Sequence, residues 1–190
     1  MKKKILYIAA LFICLSSIYG GTFAYFTATD TARNVITSGG IDVRIIEQQM
    51  VDGVLLPYTH YPIQILPATS VSKIVSVQNM EQSAWVRMKY TVTVYDENGE
   101  KMEISADKLK KEIIIEPDSD QWILEGDWWY YRSAIQSGEM TKPLFEEIVF
   151  SGLMDNRYQN CTMTIDVTAQ AVQKANNGSF VNEALGWPEN

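Results

Sequence analysis

Apolar and polar residues alternate strictly along two long stretches of this chain. Ala84, Val86, Met88, Tyr90, Val92 and Val94 fall on one side of the first, with Arg87, Lys89, Thr91 and Thr93 on the other. In the second, Cys161, Met163, Ile165, Val167, Ala169 and Ala171 alternate with Thr162, Thr164, Asp166, Thr168 and Gln170. Successive side chains of an extended chain point to opposite faces, so period two predicts strands with one face buried. Both runs are long for strands, which suits the two facing sheets of a sandwich. Shorter strands are predicted over 41–47, 71–78, 112–115, 121–124, 128–132 and 144–150. Turn chemistry separates them at Asp52-Gly53, Asn98-Gly99, Pro117-Asp118, Gly126-Asp127 and Ser137-Gly138. Two short helices are predicted, one over 105–112 with Ser105 as its N-cap and one over 179–185 ending at Gly186. The expected fold is all-β, a jelly-roll-like two-sheet sandwich with one or two short helices.

The first 24 residues break this pattern. Lys2, Lys3 and Lys4 precede an apolar run from Ile5 to Ile18, and a small-residue exit reaches Thr22 and Ala24. That order predicts a secretory signal peptide over 1–24, cut between Ala24 and Tyr25. An uncut anchor would need the apolar stretch to extend to Ala28, where it approaches the roughly 20 residues of a membrane span. Acylation at Cys14 is disfavoured by the bulky Phe12 and Ile13 before it. Residues 25–190 are then expected to form one domain with an extended arm over 25–37, exported to the cell surface or beyond.

Removing residues 1–24 deletes three lysines and no acids, taking the net charge from −7 to −10. Such a chain is repelled by nucleic acid and anionic lipid, so neither is an expected partner, and membrane contact is expected only through the leader before the cut. One cysteine, Cys161, remains, so no intramolecular disulfide forms; its place in an alternating strand predicts burial.

Candidate chemistry is sparse. A zinc peptidase ordinarily uses two histidines and a carboxylate, and the chain has one histidine, His60, in the proline-flanked stretch Pro57 to Pro62. No nucleophile elbow accompanies it. The carboxylate pairs Asp118/Asp120 and Glu146/Glu147 are expected in a turn and on opposite faces of a strand, not flanking a cleft. Asp96 to Glu100 lacks the ligand spacing of a calcium loop, and Asn98-Gly99 is expected to close a hairpin. Leu66 to Ser70 has the look of a sortase signal but is internal and lacks the apolar segment and basic tail that anchoring requires. No catalytic residue, metal or cofactor is expected. In Trp128-Trp129-Tyr130-Tyr131, Trp128 and Tyr130 share one face and Trp129 and Tyr131 the other. An exposed pair would stack on sugars or a partner, and a covered pair would be packing.

A resemblance gathers several of these segments. Gly20 to Thr27 followed by Asn34 to Val43 resembles the start of the TasA/camelysin family of exported Gram-positive proteins. Leu66-Pro67, Val71-Ser72-Lys73, Asn79 and Ala84-Trp85-Val86-Arg87 resemble that family's second strand pair. Further pieces, including Pro143-Leu144-Phe145, Ala171-Val172-Gln173 and Ala184 to Pro188, are similar to smaller members. The resemblance implies a jelly-roll-like domain, cleavage by an ER-type signal peptidase and, as for TasA, a fibre component of the biofilm matrix. It also carries the alternative of a camelysin-like metallopeptidase.

A physical route to fibres follows from the arm. Cleavage would free a polar, threonine-rich segment whose Phe26, Val35 and Ile36 would fill pockets on a neighbouring subunit, by donor-strand exchange between copies or with a paralogous matrix protein. The competing expectation is an ordinary first strand packed in its own sheet. A monomeric carbohydrate- or protein-binding module is a third.

Overall fold

The computed structural model describes residues 40–59 and 66–188 in full and the backbone of 26–29, 33–37 and 63–65. The signal-peptide expectation over 1–24 lies outside the described residues. Among the described residues twelve strands run in chain order: β1 (Phe26–Thr29), β2 (Arg33–Thr37), β3 (Val43–Val51), β4 (Val54–Pro57), β5 (Ile63–Ile65), β6 (Thr69–Asn79), β7 (Ala84–Tyr95), β8 (Ile113–Ile115), β9 (Trp122–Glu125), β10 (Trp128–Tyr131), β11 (Phe145–Phe150) and β12 (Thr162–Gln173). One sheet has the order β5-β1-β12-β7-β10-β9 with β2 also on β12; the other has the order β4-β3-β6-β11-β8. The fold is an all-β two-sheet sandwich.

The two alternating stretches become β7 and β12, paired antiparallel from Ala84↔Gln173 to Tyr95↔Thr162. Their inner faces bring Val86, Met88, Met163, Ile165 and Val167 against Val43, Ile45, Val75, Val77, Phe145 and Phe150 of the other sheet. Each large side chain buried this way contributes about 1.5–3 kcal/mol, which is what holds the sheets together.

The turn between β3 and β4 has positive φ at both Asp52 (49°) and Gly53 (77°). That is the backbone a two-residue I′ hairpin requires, and Asp-Gly supplies it. Helix α1 (Ala106–Glu112) sits where the cap signal put it, although Ser105 makes no side-chain cap bond. Its Leu109 leans on the core instead.

The second expected helix is replaced by one 3-10 turn, Val181–Glu183. Seven residues between Gly178 and Gly186, both at φ 77°, cannot repay helix nucleation. Val181 and Ala184 are instead held by burial against Trp85 and Val172. Strand β4 was missed because Val54-Leu55-Leu56 has no alternation to mark a buried face.

One ion pair lies on the inner face. Lys73 Nζ is 3.0 Å from Glu47 Oε1, with the two side chains 2% and 0% exposed, and it also lies 4.0 Å from the centre of the Tyr58 ring. Desolvation of two charges makes such a pair a weak source of net stability, whereas removing one partner leaves a buried charge. Lys73→Met is expected to lower unfolding free energy by about 3–5 kcal/mol in urea titrations; an unchanged midpoint would show that Glu47 is not held by this contact.

Candidate functional site

The arm is where sequence and structure meet. β1 runs parallel to the first part of β12, with Thr27↔Thr162 and Thr29↔Thr164 in register. β2 continues alongside the second part, from Arg33↔Val167 to Thr37↔Ala171. Strand β5 borders β1 on its other side. In the isolated chain the arm therefore packs in its own sheet. Of the residues expected to matter, Phe26 opens β1 opposite Ile65, while Val35 and Ile36 of β2 pair with Ala169 and Gln170. Ala24 and Tyr25 lie outside the described residues.

Two features make this pairing unusual. Parallel neighbours cannot be joined by a tight turn, and β2 and β12 are separated by most of the sequence, so no local connection ties the arm to its partner strand. The other edge of β12 is filled along its whole length by β7. Without the arm, β12 would present an unpaired edge from 162 to 171, and its polar backbone groups would need another partner.

A second surface adjoins the first. Trp85, Arg87 and Lys89 of β7, Trp128 and Tyr130 of β10 and Gln170 of β12 share the outer face of the same sheet. The Arg87 guanidinium lies between two indoles, 4.4 Å from the Trp128 ring and 4.7 Å from the Trp187 ring. It donates to Gln170 Oε1 and, at 2.8 Å, to the Tyr130 hydroxyl. Trp187 meets Tyr130 edge to face at 5.5 Å, and Trp85 Nε1 donates to the Asn177 carbonyl at 2.8 Å. On the inner face Trp129 packs against the core and Tyr131 stacks on Trp122 at 5.0 Å. The outer face of the aromatic strand is thus covered packing, while on the inner face Trp129 is only half-buried.

A third feature had no signal in the sequence beyond a run without alternation. Strand β4 is the outer strand of its sheet, and Val54 and Leu55 are 56% and 46% exposed, with Met50, Val51 and Leu56 similarly open. An uncharged apolar edge strand is a ready template for association.

The remaining candidates fall into turns or onto open surface. Asp118 Oδ1 accepts from the backbone of Asp120 and Gln121, which closes a turn. Glu146 and Glu147 do not sit on opposite faces as expected: a register shift between Phe145 and Glu147 bulges β11, and both are exposed and line the same grooves. One groove, of about 300 Å³, thereby gathers Glu116, Asp118, Glu146 and Glu147. The Asp96 carboxylate accepts from the backbone of Asn98 and Glu100, both at 2.9 Å, and closes the β7 hairpin. Those backbone donors, Glu100 foremost, lower its pKa. Among the described residues no group of three or more His, Cys, Asp or Glu is placed to hold a metal. His60 lies outside them.

Cys161 is buried, as expected. Burial, reinforced by Asp96 and Glu97, pushes its thiol above the usual 9.0. Nearby, the Tyr158 hydroxyl donates to the buried Glu112 carboxylate, which also meets Lys108 at 3.3 Å. Burial first and Glu112 second raise the phenol well above 10.0.

Comparison with known proteins places one marker on the chain. The family model described as camelysin metallo-endopeptidase matches residues 1–56, through the first 25 residues, the arm, β3 and most of β4. The chain is similar to the TasA/camelysin family over that segment. No curated protein and no solved structure matches at a significant level.

Two outcomes are expected. Arg87→Lys keeps the charge but loses the planar stack. It should expose residues 177–188 to chymotrypsin in limited digests; a digest pattern identical to the parent would mean that Arg87 does not hold that segment. Tyr158 and Cys161 are both neutral in the folded state at pH values where their unfolded counterparts ionise. Their stabilisation is intact below about pH 9 and drains as pH rises through the elevated folded values. The urea midpoint should fall between pH ~9 and ~11, less steeply in Tyr158→Phe; parallel pH curves for parent and variant would contradict it.

Proposed function

We propose that the chain is a secreted structural protein of a bacterial extracellular matrix that assembles by donor-strand exchange, alone or as an accessory subunit beside a paralogous matrix protein. The observation that carries this reading is the parallel pairing of β1 and β2 with the otherwise unpaired edge of β12. The same pairing made with a neighbour's arm exchanges like hydrogen bonds for like. Enthalpy then changes little, and concentration and linker freedom decide the state. Only the stretch between β2 and β3 has to redirect the arm, because no other strand must leave its sheet. The contact joins unlike surfaces, so repetition gives an open filament.

Cleavage between Ala24 and Tyr25 would couple export to assembly by releasing the arm from the membrane. The charged and apolar leader pattern and the family match over the same segment support that order of events. The apolar β4 edge supports lateral association of filaments. The family's description also keeps a peptidase reading in view. Chelator-sensitive casein cleavage by the pure processed chain would favour it over a structural role.

The exchange itself is tested with two single-cysteine chains in a Cys161→Ser background, one carrying Val35→Cys and the other Ala169→Cys, positions that are direct neighbours in register. Mixing and oxidising them should give a disulfide between chains, together with filaments by electron microscopy that disappear when 26–37 is deleted or residues 1–24 are retained. Closure of the bond only within a doubly substituted chain, with no cross-linked pair at any concentration, would reject exchange.

A further inference from the structure

A sandwich has two open seams where its sheets part, and here the two are finished differently. The seam beside β12 is closed by the arm. On the far side, β10 pairs with β7 only at Arg87 and Met88, and the next contacts along that edge are the Met102 N–H donated to the Val94 carbonyl and the bridge Tyr95↔Lys101. Between them, the edge of β7 around Tyr90 to Val92 has no strand partner among the described residues. In the facing sheet β8 is the terminal strand.

Between these two edges lies a cavity of about 550 Å³. Its walls include Tyr90, Val92, Leu109, Ile113, Ile115 and Trp129. Thr91 and Ile114 also reach it, so three consecutive residues of each strand touch the same space. Because alternate side chains of a strand point to opposite faces, three in a row can line one cavity only along the strand's edge. The cavity is therefore bounded by unpaired backbone as well as by apolar side chains. Its size lies within the range of ligand sites. At its rim stands Lys110, exposed and in no ion pair among the described residues. Helix α1 carries Lys108, Lys110 and Lys111 within a chain whose overall charge is −7.

We infer that this seam binds an extended peptide segment of another protein, added as a strand to the Tyr90–Val92 edge, with alternate apolar side chains in the cavity and an acidic residue at Lys110. The free donors and acceptors of a strand edge select an extended backbone over a compact small molecule, and the apolar walls select every second side chain. Lys110 selects the sign of the end charge. A further copy of this chain is a poor source of such a strand. Its arm is already paired on β12, its 177–188 segment is docked over Trp85 and Tyr130, and its net charge is spread over folded surface. The inference does not depend on fibre formation.

The probe is a pool of eight-residue peptides with Val, Ile, Leu or Phe at alternate positions, Thr between them and Asp at the last two. It is applied to the immobilised processed chain beside an otherwise identical pool ending in Lys and a pool with Pro at the centre. The Asp pool should be retained over both others. A retained peptide should slow amide exchange at Tyr90 and Val92. Lys110→Glu should weaken retention of the Asp pool by about fivefold and favour the Lys pool. Ile115→Trp, which fills the cavity, should abolish retention of both, with near-UV circular dichroism confirming that each variant is folded. Equal retention of the Pro pool, unchanged exchange at Tyr90 and Val92, no retention at all, or displacement of dodecanoic acid without any protection of that edge would each overturn the inference. The last would mean a cavity for apolar acids, not for a strand.

Discussion

Backbone pairing along β12 is the constraint on which the rest of the molecule depends. This strand is flanked over its full length by β7 on one side and, at 162–164 and 167–171, by the arm on the other. Buried N–H and C=O groups without partners cost as much as lost hydrogen bonds. β7 is held there by a shared core in which Met88, Val94, Ile165 and Val167 have no water to return to. The arm is held without any such local connection. Its covalent neighbour, β3, belongs to the opposite sheet, and β2 also comes close to β3 there.

The same logic distributes the rest of the surface. Large aromatic groups that would make an open binding face are consumed by internal packing: Arg87 is caught between Trp128 and Trp187, and the segment after β12 closes over Trp85. Apolar surface is left open at the β4 edge, and an unpaired backbone edge is left at the seam beside β7. Several charged groups are tied down instead, while Glu146 and Glu147 stay exposed along the groove beside β11. Glu112 is held by Tyr158 and Lys108, Glu47 by Lys73, and Asp96 and Asp118 by the backbone of their own turns. Those polar groups hold turns and core, and the β4 edge is left exposed.

Strand β7, strand β12, the Asn98-Gly99 hairpin and the place of helix α1 could be read directly from residues, because alternation, turn chemistry and cap spacing are local properties. The burial of Cys161 followed from its phase in the same alternation. The relation of Glu146 to Glu147 could not be read, since a bulge adds a residue to one strand only relative to its partner, and the partner is β6, far away in sequence. β4 escaped notice because an apolar run with no polar face carries no phase, and nothing in Val54-Leu55-Leu56 says that it will be left at an edge. The second helix failed for the opposite reason. Its propensity was real but too short to stand alone, and contacts with Trp85 chose a 3-10 turn.

The amino-acid sequence by itself determined that the chain folds as facing sheets and where β7 and β12, the longest strands of one of them, run, and its stretches at 20–27 and 34–43 resemble the TasA/camelysin family. Period, charge and small-residue spacing are written along the chain and need no partner to be read. The tertiary structure alone decided that the arm lies parallel to β12, that Arg87 closes the aromatic face, and that one seam is filled while the other is open. Those facts depend on which strands become neighbours, and neighbours are chosen by burial and hydrogen bonding summed over the whole molecule.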